Sequence, residues 1–219
     1  QVDQMSGGRV DFGLGAGWFA AEHEAYGIPF PKLGERFDRL EEQLDIITGM
    51  WATPVGETYD NPGGHYPVVN SPALPKPHAG PPPIIIGGGG PKRTPALAAK
   101  FAAEFNTPFV SREFFTQQRG RVRAACETID RDPNDLVYSA ALIVCCGANE
   151  AEVARRAASI GREPSELREN GLAGTPGEVA ERIRSWRDAG AERIYLQMMD
   201  LDDLDHLNLI AHDVATQLN

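Results

Sequence analysis

Residues 81–106 read PPPIIIGGGGPKRTPALAAKFAAEFN and contain a strand, a turn and a helix in direct succession. The β-branched run at 84–86, bounded by proline and glycine, is typical of a strand covered on both faces, as in parallel sheets. The turn after it consists of four glycines: Gly87, Gly88, Gly89 and Gly90. Without Cβ atoms this backbone can adopt positive φ angles and lie directly against a ligand.

The helix after the glycine turn supplies the second half of a predicted anion site. Thr94 is expected to be its N-cap and Pro95 its first residue, ahead of an apolar-rich run. Unpaired N–H groups and the positive end of the helix dipole converge at such a point, and Lys92 and Arg93 add mobile positive charge. We expect a phosphate-type ligand here. The alternative is a tight strand-to-helix turn without a ligand.

Composition limits the possible functions. The chain has 219 residues, 42% hydrophobic and 24% charged, which is typical of a globular protein with one sizeable core. Its net charge of −10 argues against nucleic acid or an anionic membrane as a partner. The sequence shows no apolar run of 18 residues and no signal-peptide pattern, so we expect a cytoplasmic location.

The three cysteines, Cys126, Cys145 and Cys146, lack the spacing of a zinc site. Two of them lie in the apolar run YSAALIVCC, where neighbouring side chains of a strand point to opposite faces. We interpret them as buried apolar residues of a protein from a reducing compartment.

A second glycine-rich turn follows a predicted strand at 8–17, GRVDFGLGAG, where apolar and small residues alternate before the glycines. Its spacing does not complete a dinucleotide fingerprint, so a Rossmann fold is disfavoured. Trp18 and Phe19 come next, then Glu22 and His23. We interpret this segment as a helix start with Glu22 near the positive dipole end.

The middle of the chain combines a clear helix with an irregular excursion. Apolar residues recur every three or four positions from Gly34 to Trp51, which predicts an amphipathic helix. The segment from Thr53 to Pro83 is rich in proline and is predicted to be an inserted loop containing a small hairpin, with Tyr59 on one arm and 65–69 on the other.

In the second half, Ser111 is predicted to cap a helix that runs to about Thr128, and 136–146 to form the longest strand. Asn149 and Thr175 are each followed three residues later by glutamate, which predicts two capping boxes. The polar stretch between these two helices is expected to be mobile. The aspartates at 200–205 are interpreted as a solvated acidic loop rather than a metal site.

Strands are expected near five positions: Val10, Ile84, Ala103, Val137 and Ile194. Alternation with helices at this spacing predicts βαβ units and a parallel sheet. A closed barrel of this type needs about eight strands, with its site at their carboxyl ends. Five units are too few to close it.

Four segments, 6–31, 34–51, 81–106 and 174–196, together resemble the luciferase-like flavin and deazaflavin oxidoreductases, most of all the branch that uses coenzyme F420. The resemblance runs over almost the whole chain in the family's order. It implies an α/β fold of the TIM-barrel type, (β/α)8, represented by about five C-terminal βα units. Residues 1–219 would form a single partial barrel domain with an insertion at about 53–83.

The resemblance also implies a cofactor site. Gly15, Ala16 and Gly17 would lie beside the tricyclic ring of F420, or of FMN as the alternative. The glycines at 87–90 and Thr94 would hold the ring edge and the phosphate. The implied activity is hydride transfer to or from a small organic substrate.

The sequence departs from the family near the first turn. Trp18 stands where a sugar-phosphate dehydrogenase of this family has a catalytic glutamate, so that substrate is not expected. Trp18 is a candidate for ring stacking or pocket filling, and Glu22 and His23 are candidate general acids, but no catalytic residue is assigned.

Three functions stay open: an F420-dependent oxidoreductase, an FMN-dependent monooxygenase, and a truncated homologue that binds flavin or dimerises without catalysis. The chain begins with Gln1 and matches the family only from the fourth barrel strand onward, so it is expected to be either a piece of a longer barrel or a short chain that pairs through an open edge. A homodimer is expected.

Overall fold

Short apolar strands and capped helices alternate along the chain in the computed structural model, which describes residues 1–218. The chain divides into two units, Gln1–Glu104 and Phe105–Asn219. The first unit contains two strands that pair in parallel, a hairpin and four helices, in the order α1 Val2–Ser6, β1 Phe12–Leu14, α2 Ala20–Ala25, α3 Leu33–Ala52, β2 Tyr59–Asn61, β3 Val68–Ser71, β4 Ile84–Gly87 and α4 Arg93–Phe101.

The strand predicted from the isoleucine run is β4. Ile84 and Ile86 are buried, whereas Ile85 on the opposite face is only partly covered. The expectation that both faces are fully covered was therefore wrong for one face. Strand β1 lies alongside β4 in parallel, with Phe12 opposite Ile84 and Leu14 opposite Ile86.

The amphipathic helix predicted in the first half is α3. Its stripe is buried most deeply at Leu40 and Leu44. Lys100 of α4 forms an ion pair with Asp45 of α3 at 3.0 Å, so charged groups link the exposed edges of the two helices. The predicted hairpin in the proline-rich insertion is confirmed, because β2 and β3 pair antiparallel.

The second unit contains four strands and five α-helices, in the order β5 Glu104–Pro108, α5 Arg112–Glu127, β6 Val137–Cys146, α6 Glu150–Ser159, α7 Pro164–Asn170, β7 Leu172–Gly174, α8 Pro176–Asp188, β8 Arg193–Gln197 and α9 Leu204–Leu209. A π-helical turn, Ile210–Val214, and a 3-10 turn, Ala215–Gln217, continue α9.

The organising strand of the second unit is β6, the longest strand, as predicted. Its first half pairs in parallel with β8, with Ala140 opposite Ile194, and its last residues pair in parallel with β7, with Cys146 opposite Gly174. Strand β5 is hydrogen-bonded to β6, and Asn106 Nδ2 donates to Ser139 Oγ at 2.9 Å.

The polar stretch before Gly174 was wrongly expected to be mobile. It contains α7, which begins at Pro164 and buries Leu167, and then the three fully buried residues of β7. Strand β7 is too short to show a period of two, and it lacks β-branched residues, so the sequence pattern concealed it. The unit count predicted from sequence is therefore one strand short.

The predicted helix starts in this unit are confirmed. Ser111 Oγ accepts the N–H of Phe114 at the start of α5, and Asn149 Oδ1 accepts the N–H of Glu152 at the start of α6. The capping box predicted at Asn149 is only half formed, because the Glu152 carboxylate accepts the N–H of Ala148 instead of that of Asn149. A capping box opens α8, where the Glu178 carboxylate accepts the N–H of Thr175 at 2.7 Å.

A buried polar cluster holds the carboxyl end of β6. Arg156 is 5% exposed and donates to Asp203 Oδ2 from Nε and to the Cys146 carbonyl from Nη1, both at 2.8 Å. His206 Nε2 accepts the Cys146 N–H at 2.8 Å, and Asp203 Oδ1 accepts the His206 N–H. Burial lowers the pKa of His206, which favours the neutral ring that this acceptor role requires.

Cys145 and Cys146 are buried, as predicted, and Cys126 is buried as well; all three thiols are free. Burial raises the pKa of the Cys146 thiol to about 11, so the thiol stays protonated at neutral pH. Between residues 1 and 218, no helix has both the length and the apolar character needed to cross a membrane.

The ion pair of Asp203 should make stability depend on acid pH. The Arg156 guanidinium lowers the pKa of Asp203 from its ordinary 3.8 to about 2. A carboxylate with a depressed folded-state pKa stabilises fully above its unfolded pKa, and this contribution is lost as the pH falls through its folded pKa. The shift corresponds to about 2 kcal/mol.

We expect the difference in unfolding free energy between the wild type and Asp203→Asn to shrink by about 2 kcal/mol between pH 5 and pH 2. Urea unfolding at several pH values measures it. The control is Asp205→Asn, an exposed carboxylate in the same helix. A constant difference across this pH range would show that Asp203 has no depressed pKa.

Candidate functional site

The two glycine turns lie side by side. Because Leu14 is opposite Ile86 in the parallel pair of β1 and β4, the chain leaves neighbouring strands at Gly15 and at Gly87. Both exits are at carboxyl ends, where α/β proteins place their ligand sites. The structure thus brings together the two segments that the sequence predicted to share one cofactor.

Glycine is needed at different positions of the two turns for different physical reasons. Gly17 and Gly88 have φ angles of 73° and 133°, which L side chains rarely adopt. At Gly90 a Cβ would come within 2.9 Å of Thr94 Oγ1. At Gly15 a Cβ would meet no protein atom within 4 Å, so protein packing does not require glycine there. The remaining physical reason for a glycine at this position is that it leaves the backbone open to direct contact with a ligand.

Thr94 lies under the second turn but does not cap the helix. Helix α4 begins at Arg93, and its N-cap is Lys92, which makes no side-chain capping bond. The predicted N-cap was therefore wrong. Thr94 is the second residue of the helix, is 2% exposed, and has its side chain 3.6 Å from where a Cβ on Gly88 would be. The early start is compatible with Pro95, since first-turn residues need no N–H for the helix itself.

The positive charge at this helix start is not all mobile, as the sequence had suggested. Arg93 Nη1 donates to Asp38 Oδ1 at 2.6 Å and to the Gly34 carbonyl at 3.1 Å, and its Nη2 is 3.3 Å from Glu41 Oε2. Its guanidinium is therefore bound to groups of α3. Lys92 is exposed and adds positive charge to the uncapped N–H groups of the first turn.

Arg36 of α3 supports the first turn, a role that was not predicted from the sequence. Its Nη1 donates to the carbonyl oxygens of Ala16, at 3.3 Å, and of Gly17. The guanidinium lies 4.0 Å from the centre of the Phe30 ring. Its buried Nε has no hydrogen-bond partner among residues 1–218. An arginine on the polar side of an amphipathic helix looks like a solvated charge in any periodicity pattern, so only the tertiary structure reveals this role.

The candidate functional residues after the first turn have different surroundings in the structure. His23 lies beside Gly17, with its ring 4.5 Å from that of Phe30 and with Nδ1 donating to the Phe19 carbonyl at 2.9 Å. Glu22 is exposed. Trp18 is 83% exposed and contacts Phe19 at a ring distance of 5.3 Å. Of the proposed general acids, the structure therefore brings only His23 to the turn.

Metal ligands are absent from the described part of the chain, in which no cluster of three or more His, Cys, Asp or Glu could hold an ion. The acidic loop serves structure instead. Asp203 caps α9, and Asp200 accepts a hydrogen bond from Ser159.

The residues present fit a flavin-like group with a phosphate. A side-chain-poor edge at 15–17 admits a flat ring, and the uncapped start of α4 below the glycines at 87–90 is suited to an anion. All of these residues belong to the first unit.

Comparison with known proteins identifies relatives. The model of a family described as luciferase-like monooxygenase matches residues 1–170. An FMNH2-dependent dimethylsulfone monooxygenase from Pseudomonas putida is 29% identical over 123 residues, which are 56% of this chain and 33% of the relative. An F420-dependent glucose-6-phosphate dehydrogenase from Kribbella flavida is 33% identical over 104 residues, 48% of this chain and 28% of the relative. The chain thus spans about a third of the length of these curated relatives.

The fold is shared with a solved F420-dependent secondary alcohol dehydrogenase in complex with an F420-acetone adduct. The match covers 100% of this chain and 72% of that one, with a TM-score of 0.83 and 16% identity. It confirms the predicted α/β fold with parallel strands, of the luciferase-like TIM-barrel type.

We expect Gly88→Ala to lower the free energy of unfolding by about 1–3 kcal/mol, because alanine is strained at a φ of 133°. The control is Gly63→Ala, at a glycine with an ordinary φ and no atom within 4 Å of a new Cβ, where the change should stay within about 0.5 kcal/mol. Chemical denaturation measures both. Equal losses would show that the turn stores no backbone constraint.

Proposed function

Because this chain belongs to the luciferase-like monooxygenase family, we propose that it is an oxidoreductase that transfers a hydride between coenzyme F420 and a small organic substrate. The observation that carries the proposal is the register of β1 and β4, which sets the two glycine turns next to each other at the carboxyl ends of their strands. Members of the family depend on F420 or FMN.

The two glycine turns, α3 and α4 each have a role in this proposal. The backbone at 15–17 forms the surface against which the ring lies, and Arg36 fixes its course by binding the carbonyls of Ala16 and Gly17. The glycines at 87–90 and the first turn of α4 bind the phosphate, with Lys92 as the exposed cation.

The bound coenzyme supplies the hydride chemistry, and the protein orients it and controls access of water. Next to the ring surface, His23 is the group that holds a proton. Its Nδ1 donates to the Phe19 carbonyl, which leaves Nε2 to exchange a proton with a substrate.

F420 is favoured over FMN by the distribution of relatives. Five of the seven curated matches are F420-dependent glucose-6-phosphate dehydrogenases. Their sugar phosphate is not part of the proposal, because the exposed Trp18 stands where the resemblance places the catalytic glutamate of such an enzyme. The proposed substrate is instead a small organic molecule that does not need such a glutamate.

An FMN-dependent monooxygenase is the second candidate. The observation in its favour is that two of the seven curated matches are FMNH2-dependent monooxygenases, one of them 29% identical over 123 residues. The two candidates differ in their second substrate, since the monooxygenase consumes oxygen.

Titration of the purified chain with F420 and with FMN, in oxidised and reduced forms, distinguishes the candidates. We expect saturable binding of F420 that is tighter than that of FMN, and no oxygen uptake driven by a substrate. Tight binding of FMN alone would overturn the F420 assignment. Substrate-dependent oxygen uptake with reduced FMN would establish the second candidate.

Gly15→Val should weaken coenzyme binding by about tenfold or more, because the new side chain occupies the surface where the ring lies. Its melting temperature should change no more than that of Gly63→Val, since a Cβ at either position meets no protein atom within 4 Å. Gly63→Val is the matched control and should bind like the wild type. Unaltered binding by Gly15→Val would exclude the first turn from the cofactor site.

A further inference from the structure

A cavity outside the glycine turns lies in the second unit. It has a volume of about 700 Å³, and we call it the arginine pocket. Its rim consists of four arginines and its floor is apolar, with the principal residues Arg119, Arg123, Arg184, Arg187, Ile194 and Leu196. A volume between about 300 and 1,000 Å³ with an apolar floor and few polar groups is typical of a small-molecule site.

The place of the pocket separates it from catalysis. Tyr138 at the start of β6 and Glu192 just before β8 both line it, so it begins at the amino-terminal ends of these strands. From there it extends along β8 as far as Leu196. In barrel enzymes of this type the chemistry occurs at the opposite, carboxyl ends. The glycine turns contribute nothing to it, since all its lining residues belong to the second unit.

The charge of the pocket contrasts with that of the chain. The protein has a net charge of −10, yet the lining contains four arginines and one carboxylate, Glu192. That carboxylate already accepts the N–H of Tyr138 at 3.2 Å. Arg184 is paired with Glu181 outside the lining, at 3.2 Å. A strong positive potential therefore remains over the floor.

Two of the arginines are available to an anion. Arg119 stacks its guanidinium 5.1 Å from the centre of the Tyr138 ring, in space that exists because Gly190 has no side chain. Its buried Nε has no hydrogen-bond partner among residues 1–218. Arg187 is exposed one helical turn beyond Ile183, and no carboxylate of the described chain forms an ion pair with it.

The floor requires an apolar partner. Ile194 and Leu196 point from β8 into the cavity and are only partly covered, as are Ile183 of α8 and Leu218. An inorganic anion would satisfy the arginines but would leave this surface in contact with water. A neutral apolar molecule would cover the floor but would leave the guanidinium groups unpaired. Both features are matched by one molecule that has an apolar body and a carboxylate end.

We propose that the arginine pocket is a second ligand site, which binds an amphiphilic carboxylate, such as a medium-length aliphatic acid, with its carboxylate at Arg119 and Arg187 and its chain over Ile194 and Leu196. The site is independent of the coenzyme and of the proposed hydride transfer. Because it begins at the amino-terminal ends of the strands and shares no residue with the glycine turns, it suits an effector rather than a substrate.

Calorimetric titration of the whole chain with decanoate tests the site, with decanol and inorganic phosphate as probes of the two halves of the ligand. We expect decanoate to bind saturably with one site per chain and to raise the melting temperature. Decanol and phosphate should each bind about tenfold more weakly or not at all. Equal binding of decanol, equal binding of phosphate, or the absence of saturable decanoate binding would overturn the proposal.

Arginine variants locate the binding. Arg187→Glu, at an exposed position, and Arg119→Met, which keeps the apolar stem, should each weaken decanoate binding by about tenfold. Arg121→Gln is the matched control, because it removes a charge from α5 outside the pocket, and it should bind like the wild type. An equal loss of decanoate binding with Arg121→Gln would show that the weaker binding of the variants comes only from their lower net charge. That result would refute the site.

Light scattering of the same samples tests whether a second copy of the chain covers the pocket. We expect the molar mass to be the same with and without decanoate, and the same for Arg187→Glu. A mass that falls with decanoate or with the variant would show that a second copy of the chain covers the pocket, and would overturn the proposal. F420 and FMN titrations should be unaffected by Arg187→Glu, so failure of this site leaves the coenzyme proposal intact.

Discussion

The parallel register between β1 and β4 is the constraint on which the candidate site depends. Parallel strands have their carboxyl ends at the same edge, so a glycine turn after Leu14 and another after Ile86 must emerge together. Neither turn forms a complete site alone, because one offers only bare backbone and the other only a helix start. The pairing of two short strands places the turns next to each other, and this is the geometry on which the proposed coenzyme site rests.

Helix α3 completes the site from behind. Arg36 holds the carbonyls of the first turn, while Asp38 and Glu41, on the same helix, hold Arg93 at the start of α4. One amphipathic helix thus braces both turns through opposite charges. This arrangement leaves the backbone N–H groups and Lys92, rather than Arg93, to attract an anion. In the proposed site, the ligand would therefore be recognised mainly by the course of the main chain.

The features that were predictable from sequence are those encoded locally. The isoleucine run, the glycine turns, the caps at Ser111 and Asn149 and the capping box at Thr175 each depend on a few adjacent residues. The failures depended on distant partners. Strand β7 forms because β6 offers it an edge, and Arg36 acts because the fold brings it to Ala16 and Gly17. Thr94 is the exception, because its failure is local: α4 begins at Arg93, so Thr94 already lies inside the helix and is not its N-cap.

Amide hydrogen exchange, measured residue by residue with and without bound F420 or FMN, shows whether the two turns form one coenzyme site. We expect the amides at 15–17 and those at 87–90 to become protected together, at the same coenzyme concentration. Protection of one turn without the other, or of neither turn in a saturated complex, would contradict this expectation.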